Sequence, residues 1–233
     1  MKNDFYMKEA HYIDEGLRTY LIKVYTYMML GLSLTGIAAY WIASTPYLFD
    51  AIFGTPLIWA ILIAPFILVY YIGSRIQILS SFTIQILFWL YATTIGISLA
   101  PAILFYTGQS IASTFFITSA TFGAMSLFGY NTKTDLSSLK SFMIMGLLGL
   151  IIAGLINLFL RSTSFDLVIS SVGVLLFVGL TAVDIQGIKN LYFSDDHQEI
   201  LEKKSIVGAL TLYLNYLNLF LYLLRFFGRR REK

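Results

Sequence analysis

The polar residues of the last apolar segment recur at helical spacing and define a polar stripe. The stripe consists of Lys204, Gly208, Thr211, Asn215, Asn218, Tyr222 and Arg225. Steps of three and four residues place side chains along one face of a helix. Hydroxyl and amide oxygens at successive turns could serve as cation ligands. Thr211, Asn215 and Asn218 are therefore candidates for lining an ion pathway.

A second interpretation of the polar stripe needs no ion. Threonine, asparagine and small residues also join neighbouring membrane helices through hydrogen bonds that average about 0.6 kcal/mol each. In both cases the polar face points into the helix bundle or toward water, away from lipid. The stripe therefore predicts a central last helix and leaves open whether its purpose is conduction or packing.

Asp184 follows the apolar run 167–183 and is the only carboxylate expected within a predicted span. An ionised aspartate near the bilayer centre costs about 2.5–3.5 kcal/mol on insertion scales, which favours pairing with a cation. Arg75, at the end of the second predicted span, is the candidate partner. Alternatively, Asp184 lies at the interface and reaches water, and Arg75 serves only as an orientation signal. As a lone carboxylate, Asp184 is also a weak candidate calcium ligand.

The elements that must position these residues follow from the apolar content of the chain. Of its 233 residues, 58% are hydrophobic and 12% charged, and the mean hydropathy is +0.75, whereas a soluble domain is nearer a quarter charged. A span needs roughly 20 apolar residues. Seven stretches satisfy this length, namely 20–44, 52–73, 82–104, 110–129, 141–160, 166–186 and 205–227. The sequence thus predicts an all-α membrane protein with seven transmembrane helices and a central, polar-striped seventh helix.

The segments around these spans predict topology. Residues 1–19 form a polar amino-terminal tail, residues 20–227 the transmembrane domain and residues 228–233 a basic carboxy-terminal tail. Pro65, inside the second span, predicts an interruption of that helix.

Lysine and arginine are concentrated in the amino-terminal tail and in alternate loops, including Lys133 and Lys140. This distribution places the amino terminus in the cytoplasm. With seven spans, the basic ending 225–233 lies outside, against the same rule. A re-entrant segment is the alternative arrangement.

Catalytic chemistry is not expected. The chain has no cysteine, its histidines His11 and His197 lie in polar segments, and no Gly-x-Ser-x-Gly motif occurs. No second intramembrane aspartate is available to form a proteolytic dyad with Asp184. We therefore expect neither an enzyme nor a cofactor, and no nucleic-acid partner. The expected environment is a lipid bilayer.

Three stretches of the sequence resemble the Bax inhibitor-1 family, also called the transmembrane Bax inhibitor motif family. They are STFFITSATFGAMSLFGY at 113–130, GLTAVDIQGIK at 179–189 and LYLNYLNLFLYLLRFFG at 212–228. The resemblance covers nearly the whole chain. It implies a central seventh helix wrapped by the others and a calcium-leak activity.

The resemblance also implies a gate. In this family an aspartate late in the sixth span pairs with one in the seventh to form a pH-sensitive dyad, and an arginine from the second span can contact that pair. Asp184 and Arg75 match two of these positions, but Asn215 stands where the family usually has aspartate. An amide cannot share a titrating proton or add negative charge. We therefore expect weaker calcium attraction and an altered pH response.

Two hypotheses for function follow. The first is a passive cation leak, with calcium as the permeant ion, gated near the cytoplasmic ends of the second, sixth and seventh spans by Arg75, Asp184 and Asn215. The second, based on some bacterial relatives, is a regulatory protein whose amino-terminal tail contacts a membrane-bound AAA protease. The absence of an endoplasmic-reticulum retrieval ending agrees with a bacterial inner membrane.

Overall fold

The part of the chain that the structure describes is mainly helical. The computed structural model describes the backbone of residues 2–231 and the side chains of residues 15–231. The helices are α1 Lys2–Ser44, α2 Pro46–Phe53, α3 Leu57–Arg75, α4 Ser81–Phe105, α5 Gly108–Asn131, α6 Ser137–Leu160, α7 Thr163–Asn190 and α8 Gln198–Phe227. Seven of them, all except α2, are long and apolar enough to span a membrane. The prediction of seven spans is confirmed.

The helices differ from the predicted spans mainly at their ends. Helix α8 begins at Gln198 instead of residue 205, and α7 extends from Thr163 to Asn190, because the helical backbone continues through polar residues that an apolar window excludes. Glu202 consequently lies on the same spanning helix as Asn215, and Asp166, the first residue of the predicted span 166–186, lies on the same spanning helix as Asp184. The expectation that Asp184 is the only carboxylate in a span is therefore wrong.

Two details of the first half of the chain also differ from expectation. The short helix α2 has Pro46 at its amino-terminal end, a position where the missing N–H has no intrahelical role. Helix α3 continues through Pro65, which is buried, so the predicted interruption is wrong. Membrane helices tolerate internal proline where neighbouring groups satisfy the freed backbone carbonyl.

The chain folds as two compact units. The first consists of Met1–Ala100 and Ile188–Thr211, and the second of Pro101–Gly187 and Leu212–Lys233. In the first unit, α1 and α4 approach closely at Gly96, where an added Cβ would lie 2.5 Å from the carbonyl oxygen of Thr35. The Oγ1 of Thr35 donates a 2.9 Å hydrogen bond to the carbonyl of Ala92. Small residues thus permit backbone contact between these helices.

In the second unit, glycines likewise permit close helix contacts on both sides of α7. An added Cβ at Gly129 on α5 would lie 2.4 Å from the carbonyl oxygen of Ala182 on α7. An added Cβ at Gly173 on α7 would lie 2.7 Å from the ring of Tyr222 on α8. Close contacts therefore fix α7 against α5 and α8.

Helices α7 and α8 are more deeply buried than the other spans. In each of these two helices 61% of the most apolar window is buried, compared with at most 33% in every other span. This burial agrees with the prediction of a central last helix. The structure adds that α7 is equally buried.

Candidate functional site

Asp184 on α7 and Asn215 on α8 form the centre of a buried polar site in the second unit. Asn215 Nδ2 donates a 2.9 Å hydrogen bond to Asp184 Oδ2, and the two residues are 4% and 7% exposed. The other carboxylate oxygen, Oδ1, lies 3.3 Å from Nζ of Lys140 on α6. We call these three residues the Asp184 site. The amide orients the carboxylate and the ammonium group neutralises its charge.

The segment between α5 and α6 brings Lys140 to this position. Gln186, two residues after Asp184, accepts a 2.8 Å hydrogen bond from the backbone N–H of Leu136 and donates a 2.9 Å hydrogen bond to the carbonyl of Thr134. The side chain of Leu136 is buried against Ala182 and Val183 on the same helix. Helix α6 therefore begins close to α7, with Lys140 in its first turn.

A side-chain hydrogen bond just before α6 supports this arrangement. Asp135 Oδ1 accepts a 2.9 Å hydrogen bond from the backbone N–H of Ser137. This bond holds the pKa of the Asp135 carboxyl below its usual value, because hydrogen bonding favours the ionised form. A negative charge at the amino terminus of a helix also stabilises the helix dipole.

The electrostatics of the Asp184 site are asymmetric. The side chain of Asp184 is 9% exposed and that of Lys140 is 53% exposed. A buried carboxylate without a counter-ion is costly, whereas a half-exposed lysine can move into water on its flexible stem. Lys140 is thus the partner in contact with solvent, and Asp184 is the buried one.

Most of the polar stripe packs against α7 or the segment that follows it. In the first unit, Lys204 donates to Asp196 and to the carbonyl of Leu191, and Gly208 lies beside Ile188. These contacts support the packing interpretation for the first part of the stripe.

In the second unit, the Tyr222 ring stacks on Phe177 with centroids 5.8 Å apart. Arg225 Nη1 lies 3.3 Å from Asp166 Oδ1. Together with the Asp184–Asn215 bond, these contacts make the stripe a seam between α8 and α7.

The remaining two members of the stripe bond to their own helix. Thr211 Oγ1 donates to the carbonyl of Val207 at 3.1 Å, and Asn218 Nδ2 donates to the carbonyl of Leu214 at 2.8 Å. Both side chains are partly buried, and their oxygens retain lone pairs for a further contact. Their role in an ion pathway stays a prediction.

Arg75 belongs to the first unit and Asp184 to the second. Arg75 is the last residue of α3 and is exposed, with its guanidinium carbon 6.0 Å from the centroid of the Tyr71 ring. The expected pairing of Arg75 with Asp184 stays a prediction. Lys140, expected to be only an orientation signal, is the cation that the structure places at Asp184 within the second unit.

Metal binding by the described residues depends on side chains that could hold an ion together. Among the described residues, no three histidine, cysteine, aspartate or glutamate side chains converge as ligands. A calcium ion at Asp184 would take its other oxygens from amides, carbonyls or water. The weak calcium assignment to Asp184 stays a prediction.

A second polar cluster, in the first unit, was missed from the sequence. Glu202 on α8 accepts hydrogen bonds of 2.7 Å from Lys23 Nζ and 2.6 Å from the Tyr27 hydroxyl, both on α1. Lys23 and Tyr27 are one helical turn apart, and this spacing was the available signal. The cluster fixes the first turns of α8 against α1.

Comparison with known proteins agrees with this architecture of a helical membrane protein. The model of the family described as inhibitor of apoptosis-promoting Bax1 matches residues 17–232. The chain belongs to this family, the Bax inhibitor-1 family, as the sequence resemblance indicated.

Three relatives align over nearly their whole length. The uncharacterized protein RP147 of Rickettsia prowazekii is 49% identical, and the alignment covers 94% of this chain and 93% of the relative. The inner membrane protein YbhL of Escherichia coli K12 is 42% identical over 93% of this chain and 94% of the relative. An uncharacterized membrane protein of Streptococcus pyogenes is 34% identical, with coverage of 93% and 95%.

Proposed function

We propose that this protein is a passive cation leak, with calcium as the permeant ion, and that the Asp184 site is its gate. The observation that supports the proposal is the buried carboxylate of Asp184, bonded to Asn215 and neutralised by Lys140. A hydrogen-bonded carboxylate inside a span is costly to maintain and is typical of ion pathways.

The geometry suggests how the gate works. With Lys140 at Asp184 Oδ1, the carboxylate is neutralised and a second cation is repelled, so the arrangement corresponds to a closed state. When Lys140 moves toward water, Asp184 attracts a cation and Asn215 offers its amide oxygen after rotation. The Asn218 oxygen, on the same helix and in the same unit as Asn215, extends the proposed path. The roles of Arg75 and Thr211 stay predictions from the sequence.

Calcium flux into dye-loaded proteoliposomes tests this function. We expect the native protein to pass more calcium than empty vesicles between pH 5 and pH 8. Asp184→Asn keeps the shape of the side chain but removes its charge, so the flux should fall to the level of empty vesicles. If native protein and empty vesicles give equal flux at every pH, the leak hypothesis is wrong.

The regulatory hypothesis depends on the amino-terminal tail, and the side chains of residues 1–14 lie outside the described residues. Deletion of residues 1–14 tests it. We expect flux to be unchanged, since the first span Glu15–Ser44 and the Asp184 site are retained. Loss of a captured AAA protease with unchanged flux would assign the tail a separate binding role.

We also place the protein in a bacterial inner membrane with the amino terminus in the cytoplasm. The name of the Escherichia coli relative supports this membrane, and the lysine and arginine distribution supports this orientation. In that orientation the Asp184 site lies toward the cytoplasm.

A further inference from the structure

The second unit contains a cavity far along α7 from the Asp184 site. It has a volume of about 520 Å³ and lies where α6 and α8 end and α7 begins. Asp184 is 18 residues from Asp166, which lines the cavity, so about 27 Å of helix separates the two sites. The cavity is therefore distinct from the proposed gate.

The lining of the cavity is divided into a basic end and an apolar wall. Arg225, Arg230 and Asp166 provide its charged groups, and the tyrosines Tyr106 and Tyr222 lie beside them. Asp166 neutralises Arg225 at 3.3 Å, whereas no carboxylate of residues 15–231 forms an ion pair with Arg230. One positive charge thus remains uncompensated within the described residues.

Arg230 is held in place by the backbone around it. The N–H of Thr107 donates to the carbonyl of Arg229 at 3.1 Å, and the N–H of Arg231 donates to the carbonyl of Phe105 at 2.9 Å. The guanidinium carbon of Arg230 lies 4.8 Å from the centroid of the Phe105 ring. The backbone on both sides of Arg230 is therefore fixed by hydrogen bonds, and the guanidinium group contacts the Phe105 ring.

The apolar wall comes from α6, which faces lipid. Its most apolar window has a mean hydropathy of 2.5 and is only 6% buried. Leu155 and Leu158, which line the cavity, are 54% and 70% exposed. Gly154 also lines it, and an added Cβ there would meet nothing within 4 Å. The cavity is consequently open along a groove that an acyl chain can occupy.

We propose that this cavity binds one anionic phospholipid, with the phosphate at Arg230 and Arg225 and an acyl chain along Gly154, Leu155 and Leu158. Arginine forms bidentate hydrogen bonds with phosphate. Tyrosine hydroxyls suit the headgroup level of a bilayer. Ligand cavities are typically about 300–1,000 Å³, so this one fits a phosphate and the upper part of an acyl chain.

The occupant is a lipid because the basic end and the apolar groove are continuous and lie at the end of three spans. The site also accounts for the basic ending that conflicts with the distribution of charge in the loops. Because Arg225 and Arg230 bind a ligand at this face, their place there does not have to follow the rule that puts lysine and arginine on the cytoplasmic side. Lipid binding at this cavity does not require that the protein conducts ions.

Native mass spectrometry of protein released from mixed phosphatidylglycerol and phosphatidylcholine micelles tests the proposal. We expect one phosphatidylglycerol to be retained per chain in preference to phosphatidylcholine. Arg230→Gln should weaken retention about tenfold, since a charged hydrogen bond is lost. Arg231→Gln, which changes a neighbouring side chain that does not line the cavity, should retain the lipid as the native protein does.

A second pair of variants tests the groove without changing charge. Gly154→Leu fills the groove and should reduce phosphatidylglycerol retention, whereas Gly149→Leu, also on α6 and also in open space, should not. Equal retention of both lipids, or equal retention by the members of either variant pair, would overturn the proposal. Inorganic phosphate that raises Tm as much as phosphatidylglycerol does would also overturn it, because the site would then recognise a small anion.

Discussion

Asn215 Nδ2 lies 2.9 Å from Asp184 Oδ2, and this hydrogen bond joins α8 to α7 between two side chains that are almost fully buried. A neutral amide satisfies one carboxylate oxygen without changing its charge. Charge compensation is left to Lys140, whose side chain is half exposed. Orientation and neutralisation of Asp184 are therefore assigned to different residues, and substitutions can separate them.

Removal of the Lys140 charge should increase conduction. In Lys140→Met the apolar stem is kept while the cation beside Asp184 is lost, so a permeating cation no longer competes with it. We expect calcium flux at pH 7 to rise about fivefold, corresponding to an ion pair of about 1 kcal/mol. Lys133→Met, which removes an exposed lysine from the preceding loop, is the matched control. An increase of the same size in both variants would show that general surface charge controls the flux.

Introduction of a second carboxylate at Asn215 should make conduction depend on pH. Asn215→Asp places two acidic groups within hydrogen-bond distance, and two such groups share a proton. We expect calcium flux in proteoliposomes to change more steeply between pH 5 and pH 8 than in the native protein. Asn218→Asp adds the same charge three residues later, where the native amide bonds to its own helix. Identical pH profiles for the two variants would exclude a specific Asp184–Asn215 relationship.

Loss of the Gln186 side chain should loosen the start of α6. Gln186→Ala removes two hydrogen bonds to the segment between α5 and α6 and should lower the free energy of unfolding by about 1–3 kcal/mol. Thermal unfolding in detergent measures this loss. Flux should rise as well, because Lys140 is then less firmly placed. The control is Gln109→Ala, which shortens an exposed glutamine on α5; an equal loss of stability there would contradict the role of Gln186.

Enlargement of Gly129 should displace α7 close to the Asp184 site. The added methyl group of Gly129→Ala would lie 2.4 Å from the carbonyl oxygen of Ala182, and backbone at that distance must shift. We expect destabilisation of about 1–3 kcal/mol from overpacking, seen as a lower Tm. Gly123→Ala on the same helix meets nothing within 4 Å and should unfold at or above the native temperature. A native Tm for Gly129→Ala would show that the contact with Ala182 is dispensable.

The number of spans and the need of Asp184 for a partner followed from local signals, whereas Asn215 was placed beside Asp184 only by the family resemblance. Apolar length determines where a chain can cross a bilayer, and a carboxylate inside a span favours pairing with another group, so both features can be read from short stretches of sequence. The partner expected from the residues was Arg75. Lys140 was not predicted as that partner because its position depends on Gln186 and Leu136, which contact each other over 50 residues of chain. The packing role of the polar stripe could not be predicted either. Helical spacing shows which residues share a face, but it does not show which helix packs against that face.

The contact between the chain ending and the α4–α5 connection also bears on how the protein is made. The peptide groups of Phe105 and Thr107 are synthesised more than 100 residues before their partners at Arg229 and Arg231. During synthesis these two groups therefore remain without their partners until residues 229–231 have been added. This contact consequently forms only after the whole of α8 has been made. A ribosome stalled within α8 would leave the peptide groups of Phe105 and Thr107 without these partners.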